Sequence, residues 1–208
     1  MFGIINYTAF ILSSVLLNLT PGADTIYIIS RSLAGGRRQG IASALGISTG
    51  ILVHTLLVAL GLAALLASSP VAFGVMKWLG AGYLAVMGLR TLLSASSFLS
   101  ENEKEKSASL LRVYGQGVLT NALNPKVALF FLALLPQFVQ ADNPYGPLPF
   151  LLLGCTFFAT STVWCMVLAI SGGLLNRWLV QNQKIQWCMT KLSGVVYIAL
   201  GLNLLRSA

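Results

Sequence analysis

The sequence predicts an all-α fold, a polytopic membrane helix bundle of about six transmembrane helices arranged as two inverted three-helix repeats. Composition is the first reason: of the 208 residues, 56% are hydrophobic and 9% are charged, whereas soluble domains carry roughly 25% charged residues. The second reason is that the stretches 1–23, 39–76 and 143–176 contain no Asp, Glu, Lys or Arg. A helix needs about 20 mostly apolar residues to cross the hydrocarbon core, so each stretch is long enough for a span.

Charge-poor windows, separated by turn-rich or charged sequence, divide the chain into six spans. We place these spans at residues 4–29, 40–66, 71–93, 113–139, 147–173 and 187–206. The connecting loops include 31–40, the charge cluster SENEKEKS at 100–107 and the turn-rich segment 142–149. We therefore expect a single membrane domain over 1–208, with repeat 1 at 1–95, a cytoplasmic loop at 96–112 and repeat 2 at 113–208.

The uneven distribution of lysine and arginine predicts the orientation. The loops after spans 1, 3 and 5 contain Arg31, Arg37, Arg38, Lys104, Lys106, Arg112, Arg177 and Lys184. The opposite side offers little beyond Lys77 and Arg206. The positive-inside rule then places these three loops in the cytoplasm and both termini outside. We assign the net charge of +8 to contacts with lipid head groups and expect no nucleic-acid partner.

The third reason for the predicted fold is an internal repeat. The residues Lys77, Gly80, Tyr83 and Ala85 of span 3 match Lys191, Gly194, Tyr197 and Ala199 of span 6, each pair separated by 114 positions. Pro21 in span 1 likewise corresponds loosely to Pro125 in span 4. Because each half contains an odd number of spans, the second copy crosses the membrane upside down. Inverted repeats of this kind are typical of transporters.

The first polar interruption of an apolar segment is NLTPGAD at 18–24. Pro21 removes a backbone donor, Gly22 loosens the helix, and Thr20 can hydrogen-bond a freed carbonyl. Asp24 places a carboxylate within or near the hydrocarbon region, where charged side chains usually face a polar cavity or a partner. The motif therefore predicts a broken helix with a substrate- or proton-binding acid. The alternative is that Asp24 only caps the second half-helix at the cytoplasmic interface.

The second interruption is GQGVLTNALNPK at 115–126. Here Asn121, Asn124 and Lys126 interrupt an apolar helix, and Pro125 breaks its hydrogen-bond ladder. Backbone groups released by such a break can bind a ligand, and half-helix ends add partial charges that suit a zwitterion. The alternatives for Lys126 are a lysine that snorkels to the interface or a purely structural ion pair.

Asp24 and Lys126 carry opposite charges on the two predicted breaks. If the halves pack as an inverted pair, the breaks in spans 1 and 4 face each other near the midplane, and the two side chains can pair directly. A zwitterionic amino acid carries one ammonium and one carboxylate, so it could replace that pair group for group. We therefore predict a binding site for such a solute between the two breaks.

His54 in span 2 follows Gly50 by four residues and Gly46 by eight. This spacing puts the three residues on one helix face, and small residues at such intervals allow close helix packing. His54 is therefore expected to point into the bundle, where its imidazole could relay a proton. A histidine that simply hydrogen-bonds a neighbouring helix is the alternative.

The sequence favours neither an enzyme nor a bound metal or cofactor. The three cysteines, Cys155, Cys165 and Cys188, form no CxxC pair and have no metal-ligand spacing. The chain has a single histidine, and no nucleophile–base pair is apparent. We expect no catalytic residue, no metal and no cofactor.

Several segments together resemble the LysE/RhtB family of bacterial amino-acid exporters. They are TPGAD at 20–24, GGRRQGIASALGISTG at 35–50 with His54, KWLGAGYLAVMGLR at 77–90 and LTNALNPKVALFFLALLPQF at 119–138. The resemblance implies six spans in the bacterial inner membrane and proton-driven export of amino acids or close derivatives. The family commonly has PGP where this chain has Pro21-Gly22-Ala23, a departure that bears on substrate identity.

A neutral or hydroxyl-bearing amino acid such as homoserine or threonine is the expected substrate, because a cationic one would require a second acid in the membrane. Two other functions stay open. A six-span thiol or redox carrier would need cysteines in both halves, whereas all three lie in the second half. A passive small-solute channel is the other, and a homo-oligomer is compatible with either.

Overall fold

The computed structural model describes residues 2–68, 108–140 and 143–171, together with isolated positions between 75 and 93 and between 182 and 202. Within these residues the named elements are all helices, and one isolated bridge joins Ile4 to Val139. The all-α prediction is thus confirmed for the described chain. Most of predicted spans 3 and 6, the loop 100–107 and most of the 114-residue repeat lie outside the described residues. The six-span count and the inverted repeat therefore stay predictions.

The first helix, α1, covers Tyr7–Leu19 and ends where the sequence predicts a break. Thr20 is extended, with φ −71° and ψ 114°, because the α conformation is disfavoured immediately before a proline. The hydroxyl of Thr20 donates to the carbonyl of Leu16 at 2.8 Å. This hydrogen bond satisfies one carbonyl at the end of α1. The carbonyl of Thr20 itself points away from the helix.

The second helix, α2, covers Ala23–Ser68 and contains one residue of non-helical geometry, Gly36, at φ 71° and ψ −171°. The ends of a straight helix from Ser32 to Gly40 would be about 12 Å apart. In the structure, a Cβ placed on Gly40 would lie 2.3 Å from Ser32 Oγ, so the chain folds back at Gly36.

The predicted loop at 31–40 is therefore wrong in extent, although the chain does reverse there. The arginines flanking Gly36 are good helix formers, and charge alone does not end a helix. Only the glycine adopts a positive φ, which costs it little because it has no Cβ. The chain thus changes direction at a single residue.

The segment after Ala108 is a second broken helix. Helix α3 covers Leu110–Ala122 and helix α4 covers Pro125–Leu129, continued by a π-helical turn at Phe130–Leu134 and a 3-10 turn at Leu135–Phe138. Asn124 caps α4, since its Oδ1 accepts from the backbone N of Lys126 at 3.0 Å. The two parts are bent by 44° at the break.

The last fully described helix, α5, covers Leu148–Ile170, close to the predicted span at 147–173. By length and composition alone, Leu148–Ile170 could cross a membrane, as could Ala23–Gly61, although the latter includes the reversal at Gly36. The bent pair Leu110–Ala122 and Pro125–Phe138 qualifies when taken together. These apolar helices fit a membrane bundle.

Glycines bring α2 and α3 into close contact. A Cβ on Gly46 would lie 2.2 Å from the carbonyl oxygen of Tyr114, and one on Gly50 would lie 2.6 Å from Cβ of Asn121. Such close approach of helix backbones is what small residues permit in membrane bundles. It holds the second broken helix against α2, with Asn121 at the contact.

Candidate functional site

The breaks in the two halves of the chain lie side by side. Nζ of Lys126, in α4, donates to the carbonyl of Leu17 at 2.7 Å and also to the carbonyl of Thr20. Both carbonyls lie at the end of α1, and a Cβ on Gly22 would lie 3.2 Å from Cδ of Lys126. The ammonium therefore caps the carboxyl end of α1, where the helix dipole favours a cation.

Pro21 explains why the carbonyl of Leu17 is open to this partner, although it also accepts from the N–H of Thr20 at 3.2 Å. In a continuous helix the N–H of residue 21 would donate to the carbonyl of residue 17, but proline has no N–H. The extended conformation of Thr20 turns a second carbonyl away from the helix ladder. The break thus creates an acceptor pair, which Lys126 occupies.

The second break follows the same pattern with a different donor. Pro125 cannot donate to the carbonyl of Asn121. That oxygen accepts from the N–H of Asn124 at 2.9 Å, and Nε2 of His54 lies 3.0 Å from it as a second donor. Because a backbone carbonyl only accepts, Nε2 of His54 must carry the donated hydrogen. His54 is buried, and its ring stacks on Phe131 with 5.7 Å between centroids.

Asp24 lies in the first turn of α2, and its carboxylate reaches across to α3. Oδ2 of Asp24 accepts from Nδ2 of Asn121 at 2.8 Å. Oδ1 of Asp24 is buried and has no hydrogen-bond partner. The same holds for Oδ1 of Asn121 and Nδ2 of Asn124. Buried polar atoms are normally paired, so the unsatisfied atoms mark this region as built for more than packing.

Asp24 and Lys126 line the same cavity. They do not form the direct ion pair that the sequence suggested. The ammonium is instead engaged by two backbone carbonyls of α1, and the carboxylate by Asn121. The predicted contact is wrong because the broken helix end offers Lys126 neutral acceptors that were not visible from the side chains alone.

The other predicted site residues surround this cavity without forming its wall. Asn121, Asn124, His54 and Thr20 hold the two breaks and the Asp24 carboxylate in place. The helix-break residues Pro21, Gly22 and Pro125 lie at the breaks as expected. Binding of substrate or protons by these side chains stays a prediction.

Helix α5 supplies a wall that sequence reasoning missed. The residues Phe157, Ser161, Trp164 and Cys165 line the cavity, and their spacing of four, seven and eight positions places them on one helix face. The helical spacing of 157, 161 and 165 was the available signal, but it is equally typical of a packing face.

Within the described residues, no group of three or more His, Cys, Asp and Glu side chains is arranged to hold a metal ion. Cys165 is buried at the cavity, whereas Cys155 and Cys188 are exposed. The described site thus combines one acid, one base and amide side chains with the mainly apolar wall of α5.

Two broken helices that meet at a charged cavity inside an apolar bundle are typical of membrane transporters, which bind their solutes at such breaks. The model of the LysE type translocator family matches residues 15–208. The chain therefore belongs to this family of membrane transporters, and the family resemblance noted from the sequence is confirmed.

Full-length relatives support the same assignment. The chain is 32% identical over 203 residues to an uncharacterized membrane protein of Vibrio cholerae, with 95% of each chain covered. It is 28% identical to the uncharacterized membrane protein YrhP of Bacillus subtilis, covering 94% of this chain and 96% of the relative. It is 23% identical to the leucine efflux protein of Salmonella choleraesuis, covering 98% and 96%. No solved structure matches the chain.

Proposed function

We propose that the protein is a secondary transporter that exports a small neutral or hydroxyl-bearing amino acid, such as homoserine or threonine, across the bacterial inner membrane. The observation that carries the proposal is the placement of one acid and one base, Asp24 and Lys126, around one cavity at two facing helix breaks. The leucine efflux relative supports an amino-acid substrate and an outward direction.

Asp24 is suited to the ammonium group of the substrate. Its Oδ1 is buried without a partner, and a substrate ammonium would supply the missing donors while balancing the charge. Because Oδ2 is already held by Asn121 at 2.8 Å, the carboxylate is oriented before the substrate arrives. Such preorganisation lowers the cost of binding.

Lys126 is suited to the carboxylate of the substrate. Its ammonium donates to the carbonyls of Leu17 and Thr20, and a substrate carboxylate would be a stronger, charge-assisted acceptor. Exchange of one for the other would release the end of α1 from α4. Substrate binding is thus coupled in this proposal to the relative position of the two broken helices, which is what alternating access requires.

Proton antiport follows from competition at the same carboxylate. A proton and a substrate ammonium both neutralise Asp24, so one replaces the other as the site turns from one side to the other. His54 acts in this scheme by holding Asn121 through its backbone carbonyl. It does not pass a proton directly to Asp24, because the amide side chain of Asn121 stands between them. The loops after spans 1, 3 and 5 are cytoplasmic in this proposal, and a homo-oligomer is compatible with it.

The test is counterflow of labelled amino acids in proteoliposomes. Asp24→Asn and Lys126→Gln should each reduce exchange at least tenfold, because each removes one of the two charges that match the zwitterion. Lys184→Gln, at an exposed position, is the matched control and should leave exchange unchanged.

A proton gradient should drive accumulation in inverted vesicles, and an uncoupler should abolish it. Accumulation that persists with the uncoupler would favour a passive channel. Loss of activity when Cys155, Cys165 and Cys188 are replaced together would favour a thiol carrier. If no amino acid exchanges in the parent protein, the proposed function is wrong.

A further inference from the structure

The cavity has two chemically different parts. Its charged part comes from the helix breaks with Asp24 and Lys126, and another part of its lining comes from the α5 face that includes Phe157, Ser161 and Trp164. If the charged part takes the ammonium and carboxylate common to all amino acids, the α5 face is left to contact what distinguishes one amino acid from another.

The α5 face is mainly apolar, with two hydrogen-bonding groups. Phe157 is 1% exposed and Cys165 is 4% exposed, and both provide an apolar surface. Nε1 of Trp164 is a buried donor without a partner. The contact found for the Ser161 hydroxyl is Sγ of Cys165 at 4.0 Å, and thiols are weak hydrogen-bonding groups.

These two groups match a short, uncharged side chain that carries a hydroxyl. A hydroxyl can accept from the indole N–H and at the same time exchange a hydrogen bond with Ser161, because it both donates and accepts. An aliphatic side chain of the same size would leave the indole N–H unpaired. A charged side chain would find no opposite charge among the α5 residues that line the cavity and would bear the cost of desolvation.

We propose that Trp164 and Ser161 form a side-chain subsite that selects a hydroxyl-bearing amino acid over its aliphatic isostere. The inference rests on the proposed function, since it assigns the side chain of the transported amino acid to the α5 face. It adds two residues of α5 to a site otherwise built from the two helix breaks.

Threonine and valine are the appropriate pair of probes, because they have nearly the same shape and differ by a hydroxyl in place of a methyl group. Each competes against a labelled amino acid in counterflow with the full-length protein. In the parent protein threonine should compete better than valine. Trp164→Phe keeps a ring without the N–H, and Ser161→Ala removes only the hydroxyl. Each should lower the threonine-to-valine preference about fivefold, the effect of one hydrogen bond.

Matched controls distinguish this subsite from general damage. Trp187→Phe changes an exposed tryptophan, and Ser171→Ala changes a serine whose hydroxyl bonds the carbonyl of Leu168 at the end of α5. Both should keep the parent preference. Ligand-induced thermal stabilisation of the detergent-purified variants is the second measurement, since it reports binding even where transport is slow.

The possible outcomes distinguish failure of the subsite from failure of the proposed function. A lower threonine-to-valine preference with valine exchange retained supports the subsite. An unchanged preference in both variants, a parent preference for valine, or equal loss of both amino acids in a stably folded variant overturns the subsite and leaves the proposed function intact. If the parent protein exchanges and binds no amino acid, the proposed function fails and the subsite with it.

Discussion

Lys126 hydrogen-bonds the carbonyl of Leu17 at 2.7 Å, and this is the carbonyl that Pro21 leaves without its helical donor. The proline in the first half of the chain creates the acceptor, and the lysine in the second half occupies it. The break and the cation therefore depend on each other energetically. A substitution on either side should change the consequence of a substitution on the other.

Lys126→Met should destabilise the protein by about 1–3 kcal/mol, because the carbonyl of Thr20 loses its ammonium donor and the carbonyl of Leu17 keeps only the 3.2 Å hydrogen bond from the N–H of Thr20. Pro21→Ala restores a backbone N–H that can donate to the carbonyl of Leu17, so it should recover part of this loss in the Lys126→Met background without restoring transport. Thermal unfolding in detergent measures both effects, with Lys184→Met as the exposed control. If Pro21→Ala raises the melting temperature no more in the variant than in the parent, the two residues are not coupled through that carbonyl.

His54 and Pro125 should show the same relationship at the second break. His54→Leu removes one of two donors to the carbonyl of Asn121, which also accepts from the N–H of Asn124 at 2.9 Å, and should cost about 0.5–1.5 kcal/mol of stability. His54→Gln keeps an N–H donor and should cost less. Pro125→Ala supplies a backbone donor for the same carbonyl and should rescue His54→Leu in part. Equal destabilisation by Leu and Gln would show that the ring matters through its packing on Phe131 rather than through the hydrogen bond.

The helix breaks and the charged residues were predictable because proline and ionisable side chains are rare in apolar segments and have few explanations there. The predicted direct pairing of Asp24 with Lys126 was wrong, since the sequence indicates that Pro21 frees backbone carbonyls but not which side chain reaches them. The α5 wall was missed for a related reason. Ser161 and Trp164 are ordinary packing residues in a membrane helix, and only their position at the cavity gives them a role.

Asn121 should act on binding through Asp24 and not through contact with the substrate side chain. Asn121→Ala removes the 2.8 Å hydrogen bond that orients the Asp24 carboxylate, so we expect the affinity for threonine and for valine to fall together by about fivefold, as for the loss of one hydrogen bond. Competition in counterflow measures both affinities. The ratio between the two amino acids should stay at the parent value. A changed ratio would place Asn121 in contact with the side chain of the substrate.

Gly50 should tolerate no side chain, because it sets the distance between α2 and the second broken helix. A Cβ at this position would lie 2.6 Å from Cβ of Asn121 and 2.9 Å from the carbonyl oxygen of Val118, and a backbone atom cannot move aside without displacing α3. Gly50→Ala should therefore destabilise the protein by about 1–3 kcal/mol, the usual cost of overpacking.

Gly61 is the matched control for this substitution, since a Cβ there would meet no atom within 4 Å. Gly61→Ala should be neutral or stabilise the helix by up to about 1 kcal/mol, the difference in helix propensity between the two residues. Thermal unfolding of the two variants in the same detergent measures the contrast. Because the displaced helix α3 carries Asn121, and Asn121 holds Asp24, Gly50→Ala should also weaken amino-acid binding. Equal stability of the two alanine variants would mean that the close contact between α2 and α3 does not set the geometry of the site.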